Sequence, residues 1–396
     1  MMNDNNETPS GIALALSGGG IRATVFHLGT LLRLAKSGQL GAVTQLSTVS
    51  GGSLTVGLVL SANGFRWPSS SAFIDSVLPA IRSIITTRDL QASMICRAIL
   101  KPWRLFYGRG AALADAIEAT WDIRESLRDL PETPVWLINA TNYYTGKNWR
   151  FSRRRMGDWR SGYLDSPDMR LAVALAASAG VPYVVGSTRV SLPTQGWYSQ
   201  FPGTEERKPM PKPAEKVVWL WDGGVYENLG VEALYKIGHG FVFPNTKFLL
   251  VCDAGQRLLE GSNHVKGPIY FDGIVPHLSL NVRSVDIMMD QNRALRSRLV
   301  VSEMQSGHIA GSYIRIGNTA AQITEAASMK MGQPVKYPHE NVSASLAEKL
   351  ARYPTVLSCL SEEMFDQLVM HGYEATDATL GSYHPLNFGF VALSSH

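Results

Sequence analysis

The chain has 396 residues, 45% of them hydrophobic, and a net charge of +4 from 37 basic and 33 acidic side chains. That is ample material for a large core, and too even a charge to read as a nucleic-acid binder, since no recognition motif accompanies the bases. Three cysteines far apart in sequence, Cys96, Cys252 and Cys359, argue against a disulfide framework or a zinc site, so no metal or other cofactor is expected and a reducing, cytoplasmic setting is.

In chain order, residues 1–10 are polar, are expected to be disordered and contain no apolar signal-peptide core; no later apolar run reaches membrane-spanning length. Residues 11–396, without internal repeats or a dividing linker, are expected to form one domain. Ile12 to Leu16 reads as a buried strand, Ser17-Gly18-Gly19-Gly20 as a turn, and Val25, Leu28, Leu31, Leu32 and Leu34 as an apolar helix face. Amides at a helix start point outward and favour negative charge, so this layout suits either a standing phosphate or a transient oxyanion. Gly18, Gly20 and Ala23 match a dinucleotide fingerprint, yet no Asp or Glu occurs between Thr24 and Ile74 to hold a ribose, and no Gly-Lys-Ser/Thr completes a phosphate loop. A nucleotide-binding module therefore remains only a minor alternative.

The next strand, Leu46 to Val49, runs into Ser50-Gly51-Gly52-Ser53 and a helix over Leu54 to Leu60. A serine on a tight strand-to-helix turn among small residues has the layout of a nucleophile elbow. Ser53 is the rival nucleophile, but Leu54 and Thr55 behind it are too bulky for the motif. From Arg82 to Arg109 six bases stand against Asp89, interleaved with Ile95, Ile99, Trp103 and Phe106. This stretch can lie on an anionic membrane, cover an acyl site, or simply pack as a helical insertion. Arg153-Arg154-Arg155 is internal and is no export signal.

Pro134 to Ile138 reads as a strand before Asn139-Ala140-Thr141-Asn142, and Phe201 to Lys216, with four prolines, as an exposed loop. Val217 to Trp221 reads as a buried strand ending in Asp222-Gly223-Gly224. A carboxylate there sits where open α/β sheets gather their ligands, and burial would raise its pKa toward that of a general base. Asp253, after Phe248 to Cys252, competes with the same grammar. A histidine base, from His27, His239, His264 or His277, is not required by any pattern. Beyond residue 256 the chain reads as mainly helical, over 284–304, 342–350 and 362–371, with a strand over 311–316; Asp286 and Asp290 fit a solvated face.

Three blocks in this order resemble the patatin-like phospholipases, lipid acyl hydrolases with a Ser-Asp dyad. Ser17 to Arg22 is similar to the family's glycine-rich oxyanion motif, Val49 to Ser53 to its elbow, and Asp222-Gly223-Gly224 to its Asp-Gly-Gly/Ala motif; Asn139 to Asn142 and Ala176 to Pro182 are weaker blocks. The elbow departs from the family's Gly-x-Ser-x-Gly, because Thr48 stands at the first glycine and would crowd the strand-helix crossing. The resemblance implies a three-layer α/β/α fold with a mostly parallel sheet, Ser50 as nucleophile and Asp222 as base. It also implies Gly18, Gly19 and Gly20 as oxyanion donors and phospholipid or lysophospholipid as substrate. Arg22 would either meet a phosphate or oxyanion, or pack. A catalytically silent or partner-regulated lipid-binding relative is the alternative, with Thr48 in its favour.

Overall fold

Short apolar runs that end in glycine build the centre of the sheet. The computed structural model describes residues 11–103, 108–181, 185–256 and 276–392, with backbone alone at 276–283. The first part comprises β1 (Ile12–Leu16), α1 (Gly20–Lys36), β2 (Val43–Val49) and α2 (Gly51–Ala62), then α3 (Ser70–Ala72), α4 (Leu78–Thr87), α5 (Leu90–Leu100) and α6 (Gly110–Trp121). Next come β3 (Val135–Asn142), β4 (Asn148–Phe151), β5 (Arg155–Asp158), β6 (Gly162–Asp165), α7 (Leu171–Ser178), β7 (Thr188–Ser191), β8 (Trp197–Ser199) and β9 (Lys208–Met210). The last part holds β10 (Val217–Asp222), the short pair β11 (Tyr235–Lys236) and β12 (Gly240–Phe241), and β13 (Phe248–Asp253). It continues with α8 (Pro276–Gln305), β14 (Gly311–Arg315), α9 (Ala320–Met331), α10 (Ala344–Ala351) and α11 (Glu362–Tyr383).

The strands β14, β13, β1, β2 and β3 lie side by side and parallel. Alternation along β1 serves both faces: Ile12, Leu14 and Leu16 enter the main core with α1, α2 and α11, while Ala13 and Ala15 meet Leu229, Val231 and Val300 of α8 on the other side. The result is the expected helix-sheet-helix sandwich. Beyond β3 the sheet continues antiparallel through β4, β5, β6, β8 and β9, an extension that the sequence reading did not contain. These strands are three or four residues long, and β9 emerges inside what reads as a proline-rich loop.

β3 has two successive neighbours on one edge. Its first half pairs with β2, as far as Asn139 with Val49; its last residues pair antiparallel with β10, beginning at Ala140 with Asp222. The ends of β2 and β10 therefore meet head-on beside consecutive residues of β3. Val217 to Trp221 reads as a buried strand ending in Asp222; β10 does end there, antiparallel to both β3 and β7, and its residues alternate between buried and half-buried.

Helix α1 is buried along nearly its whole length and is clamped to α11. A Cβ on Gly29 would stand 2.2 Å from the carbonyl oxygen of Val369, and one on Gly372 would stand 2.0 Å from that of Phe26, so both must be bare. One turn along α1, Arg33 is ion-paired with Asp377, both fully buried, and its Nη2 donates to the carbonyls of Phe388 and Gly389 at 3.1 and 2.7 Å. The helix expected over 362–371 runs on to Tyr383, because Gly372 is a packing notch and not a stop. Helix α9, with a Thr319 capping box, was not foreseen. In the basic stretch, Arg82 is spent on Asp366 and Glu362 of α11; Arg104 to Tyr107 lie outside the described residues. Among the described residues no helix is long and apolar enough to cross a membrane.

Candidate active site

Ser50 sits between β2 and α2 with φ 49° and ψ −116°, a conformation that a non-glycine residue adopts only under local strain. The glycines that follow are obligatory. A Cβ on Gly51 would meet the carbonyl oxygen of Gly20 at 2.4 Å, and one on Gly52 that of Leu16 at 2.4 Å, while the Gly52 amide donates to the Ser17 carbonyl at 3.1 Å. The two glycine-rich turns thus touch backbone to backbone, and a Cβ on Gly18 would stand 3.0 Å from the Ser50 Cβ.

Asp222 is held on all sides. Its amide donates to the Gly180 carbonyl at 3.0 Å, its carbonyl accepts the Thr141 hydroxyl at 2.8 Å, and its Oδ1 accepts the Gly224 amide at 2.7 Å. The carboxyl is buried, and the Ser50 side chain is near enough to act on its pKa. Burial raises its pKa from 3.8 to about 7, against the opposing effects of the Gly224 amide and the Ser50 side chain. The competing Asp253 lies elsewhere: it accepts from Arg293 at 2.8 Å, from Tyr313 at 2.5 Å and from the Gly255 amide at 2.9 Å, a saturated structural carboxylate. Asp290 joins the same Arg293 at 2.7 Å.

The remaining candidates sort themselves by partners. The Gly18 amide already donates to the Asn228 carbonyl at 3.1 Å, whereas the amides of Gly19, Gly20 and, in the elbow itself, Gly51 have no acceptor among the described residues. Arg22 is fully buried. It donates to the carbonyls of Ala254 and Tyr353 and to Thr355 Oγ1, so the phosphate or oxyanion reading gives way to packing. Burial lowers its pKa to about 10, and these carbonyls offset the cation's unfavourable place at the start of α1. His27 is buried between the Ser17 carbonyl at 2.9 Å and Cys252 at 3.0 Å, with a pKa lowered to about 4 by burial; it props the glycine turn as a neutral ring. His239 is exposed in the turn between β11 and β12, and His264 and the side chain of His277 lie outside the described residues.

Thr48 does not crowd the elbow. Its hydroxyl accepts from Trp136 Nε1 at 2.8 Å and bonds Ser53 Oγ at 2.8 Å; Ser53 in turn bonds Ser178 Oγ at 2.8 Å, and Ser178 Oγ accepts the Ser50 amide at 3.0 Å. The rival nucleophile Ser53 is therefore a buried link in a chain that ends on the Ser50 backbone. Sequence reading missed Ser178, Asn228 and Gly51 as site residues, although the Ala176 to Pro182 block was a signal for the first; Pro182 itself lies outside the described residues. Replacing Thr48 by Val is expected to leave the Trp136 N–H unpaired, with Ser53 keeping only its bond to Ser178, and lower stability by about 1–3 kcal/mol, measured by denaturant unfolding.

A strained serine, an acid that burial holds near neutrality and free amides at a helix start converge within a sheet whose centre is parallel. The patatin-like phospholipase family model matches residues 14–235, more than half of the chain and all three motifs. The chain belongs to the patatin-like phospholipase family. Its fold is similar to that of human GIVD cytosolic phospholipase A2, with a TM-score of 0.54 at 13% identity, covering 96% of this chain and 59% of that one. The same human enzyme in complex with methyl gamma-linolenyl fluorophosphonate aligns at 0.49 and 14% identity, over 98% of this chain and 59% of that one. VipD from Legionella pneumophila aligns at 0.32 and 12%, over 92% of this chain and 67% of that one. The patatin-like chain thus spans 59% of the human enzyme's structure. The search of curated proteins found no match.

Proposed function

We propose that this patatin-like protein hydrolyses ester-linked acyl chains of phospholipids or lysophospholipids through a Ser50–Asp222 dyad. The observation that carries the reading is a strained elbow serine beside a buried carboxyl that burial raises to about 7, with the Ser50 side chain acting on it. Such a carboxylate is basic enough to take the serine proton as Oγ attacks the ester carbonyl. The carbonyl oxygen gains negative charge and receives hydrogen bonds from the amides of Gly19, Gly20 and Gly51. Asp222 returns the proton to the departing alcohol, leaving an acyl-serine. Asp222 then deprotonates a water, which attacks the acyl carbonyl and releases the fatty acid, and the proton passes back to Ser50. Thr48 offers no support for a silent relative, since the elbow reaches its strained conformation with Thr48 in place. Incubation with a mixed phospholipid extract, with products identified by mass spectrometry, tests this: fatty acid release by the natural chain and none by Ser50→Ala supports it, and equal release by both rules it out.

Contact with the bilayer is part of the same proposal. The basic stretch is only partly free, because Arg82 is ion-paired, but α5 and the residues after it expose Ile95, Ile99, Leu100 and Trp103 beside Lys101. Apolar side chains with an adjacent cation suit the interface of an anionic bilayer. Replacing Ile99 and Trp103 by Asp is expected to weaken sedimentation with anionic vesicles about tenfold or more, while hydrolysis of a short-chain, water-soluble ester stays unchanged.

A further inference from the structure

A cavity of about 250 Å³ lies against the antiparallel extension of the sheet, between β4, β5 and β6 and the segment that follows β10. Its wall brings Arg150, Arg155 and Lys236 together with Trp159, Tyr163 and Tyr226. Glu232 also lines it, yet both of its oxygens are engaged, one by the Tyr226 hydroxyl at 2.8 Å and the other by Arg296 at 3.1 Å. Arg155 donates to Gln200 at 2.8 Å and stacks over the Tyr163 ring at 4.6 Å. Among the described residues Arg150 Nε is buried with no acceptor, and in the same wall the Asn148 Oδ1 is buried with no donor.

Three cations and no uncommitted carboxylate is an arrangement that the fold does not need. A guanidinium N–H buried without an acceptor is costly, and such an orphan points to a missing acceptor. A guanidinium fork matches phosphate oxygens, a lysine adds a second point of charge, and an orphaned amide oxygen asks for a hydroxyl. The cavity is also tied to the candidate active site. Thr141 Oγ1 accepts the Tyr226 amide at 3.0 Å while donating to the Asp222 carbonyl.

We propose that this cavity binds a phosphate monoester carried on a small hydroxyl-bearing scaffold, with Arg150 and Lys236 on the phosphate and Asn148 on a hydroxyl. Such a group can belong to a lipid headgroup, a source that rests on the hydrolase reading above, or to a soluble metabolite, which does not need it. The full chain carrying Ser50→Ala, which cannot turn over lipid, is titrated calorimetrically with glycerol 3-phosphate and with glycerol. Saturable binding of glycerol 3-phosphate but not of glycerol is expected. Arg150→Met and Lys236→Met should each weaken it about tenfold or more. Arg150→Met should keep or raise the Tm of the unliganded protein, since it removes a buried N–H without an acceptor. Hydrolysis of phosphatidic acid and phosphatidylcholine vesicles by chains with Ser50 intact then separates the sources. A rise in KM for phosphatidic acid alone in Arg150→Met assigns the phosphate to the headgroup, and unchanged kinetics beside weakened glycerol 3-phosphate binding assign it to a soluble ligand. Absence of binding, or binding that neither substitution weakens, overturns the proposal whether or not the protein hydrolyses lipid. Inactivity on every lipid with binding intact overturns the hydrolase reading alone.

Discussion

Replacing Asp222 by Asn is expected to lower kcat/KM for phospholipid hydrolysis by about 10⁴-fold, because the amide accepts the Gly224 N–H as the carboxylate does but cannot take the Ser50 proton. In the natural chain, kcat/KM should rise with pH through about 7 and level off above it, since the base is active only when ionised. The stability of the two proteins should move the other way. The folded-state pKa of Asp222 is raised above its ordinary 3.8, so its contribution to stability is fully present below that value and is lost as pH climbs through about 7. Above pH 7 the natural chain keeps an ionised carboxylate that is only 2% exposed, and the Asn variant escapes that penalty. At pH 8 the variant should therefore be inactive and at least as resistant to denaturant, by up to a few kcal/mol. A variant that is both inactive and much less stable at pH 8 would show that Asp222 serves folding.

The second large effect is structural and lies at the far end of α1 from the glycine turn. Asp377→Ala leaves Arg33 as a charge buried without its partner, which is expected to lower stability by about 3–5 kcal/mol in denaturant unfolding. Replacing both by hydrophobic residues of similar volume, Arg33→Met with Asp377→Leu, should recover most of that loss, because neither desolvated charge remains. The exposed contact between Arg82 and Asp366 makes the comparison: Asp366→Ala should cost no more than about 1 kcal/mol. A loss for Asp377→Ala no greater than that of Asp366→Ala would mean that the buried pair does not anchor α1 to α11.

What the sequence made legible, and what it hid, follows from how local each signal is. The turn from β1 to α1, the elbow and the end of β10 are written in contiguous residues: a short apolar run, then glycines whose Cβ atoms have no room. The direction of β10 is not written there, because the register that brings Asp222 beside Ala140 depends on where β2 leaves β3. Thr48 reads as an obstruction until Trp136 and Ser178, 88 and 130 positions away, come to its side through the hydroxyl chain. Arg22 reads equally as a cation facing a ligand or as a packed one until the carbonyls of Ala254 and Tyr353 fold over it. The short strands of the extension lack a period long enough to recognise, and Arg150 becomes informative only once β4 and β5 close around it. The helix read over 362–371 stops short of Gly372, since nothing nearby in sequence shows that α1 packs there and the helix runs on.

The central claim is that Ser50 is a nucleophile activated by Asp222. Its most direct test is the rate and position of covalent labelling by an alkyl fluorophosphonate, read by mass spectrometry of the intact protein and of its peptides. One label per chain, carried by Ser50, absent in Ser50→Ala and slowed at least about a hundredfold in Asp222→Asn, is the expected result. A label on any other residue, or labelling of Asp222→Asn at the natural rate, would contradict it.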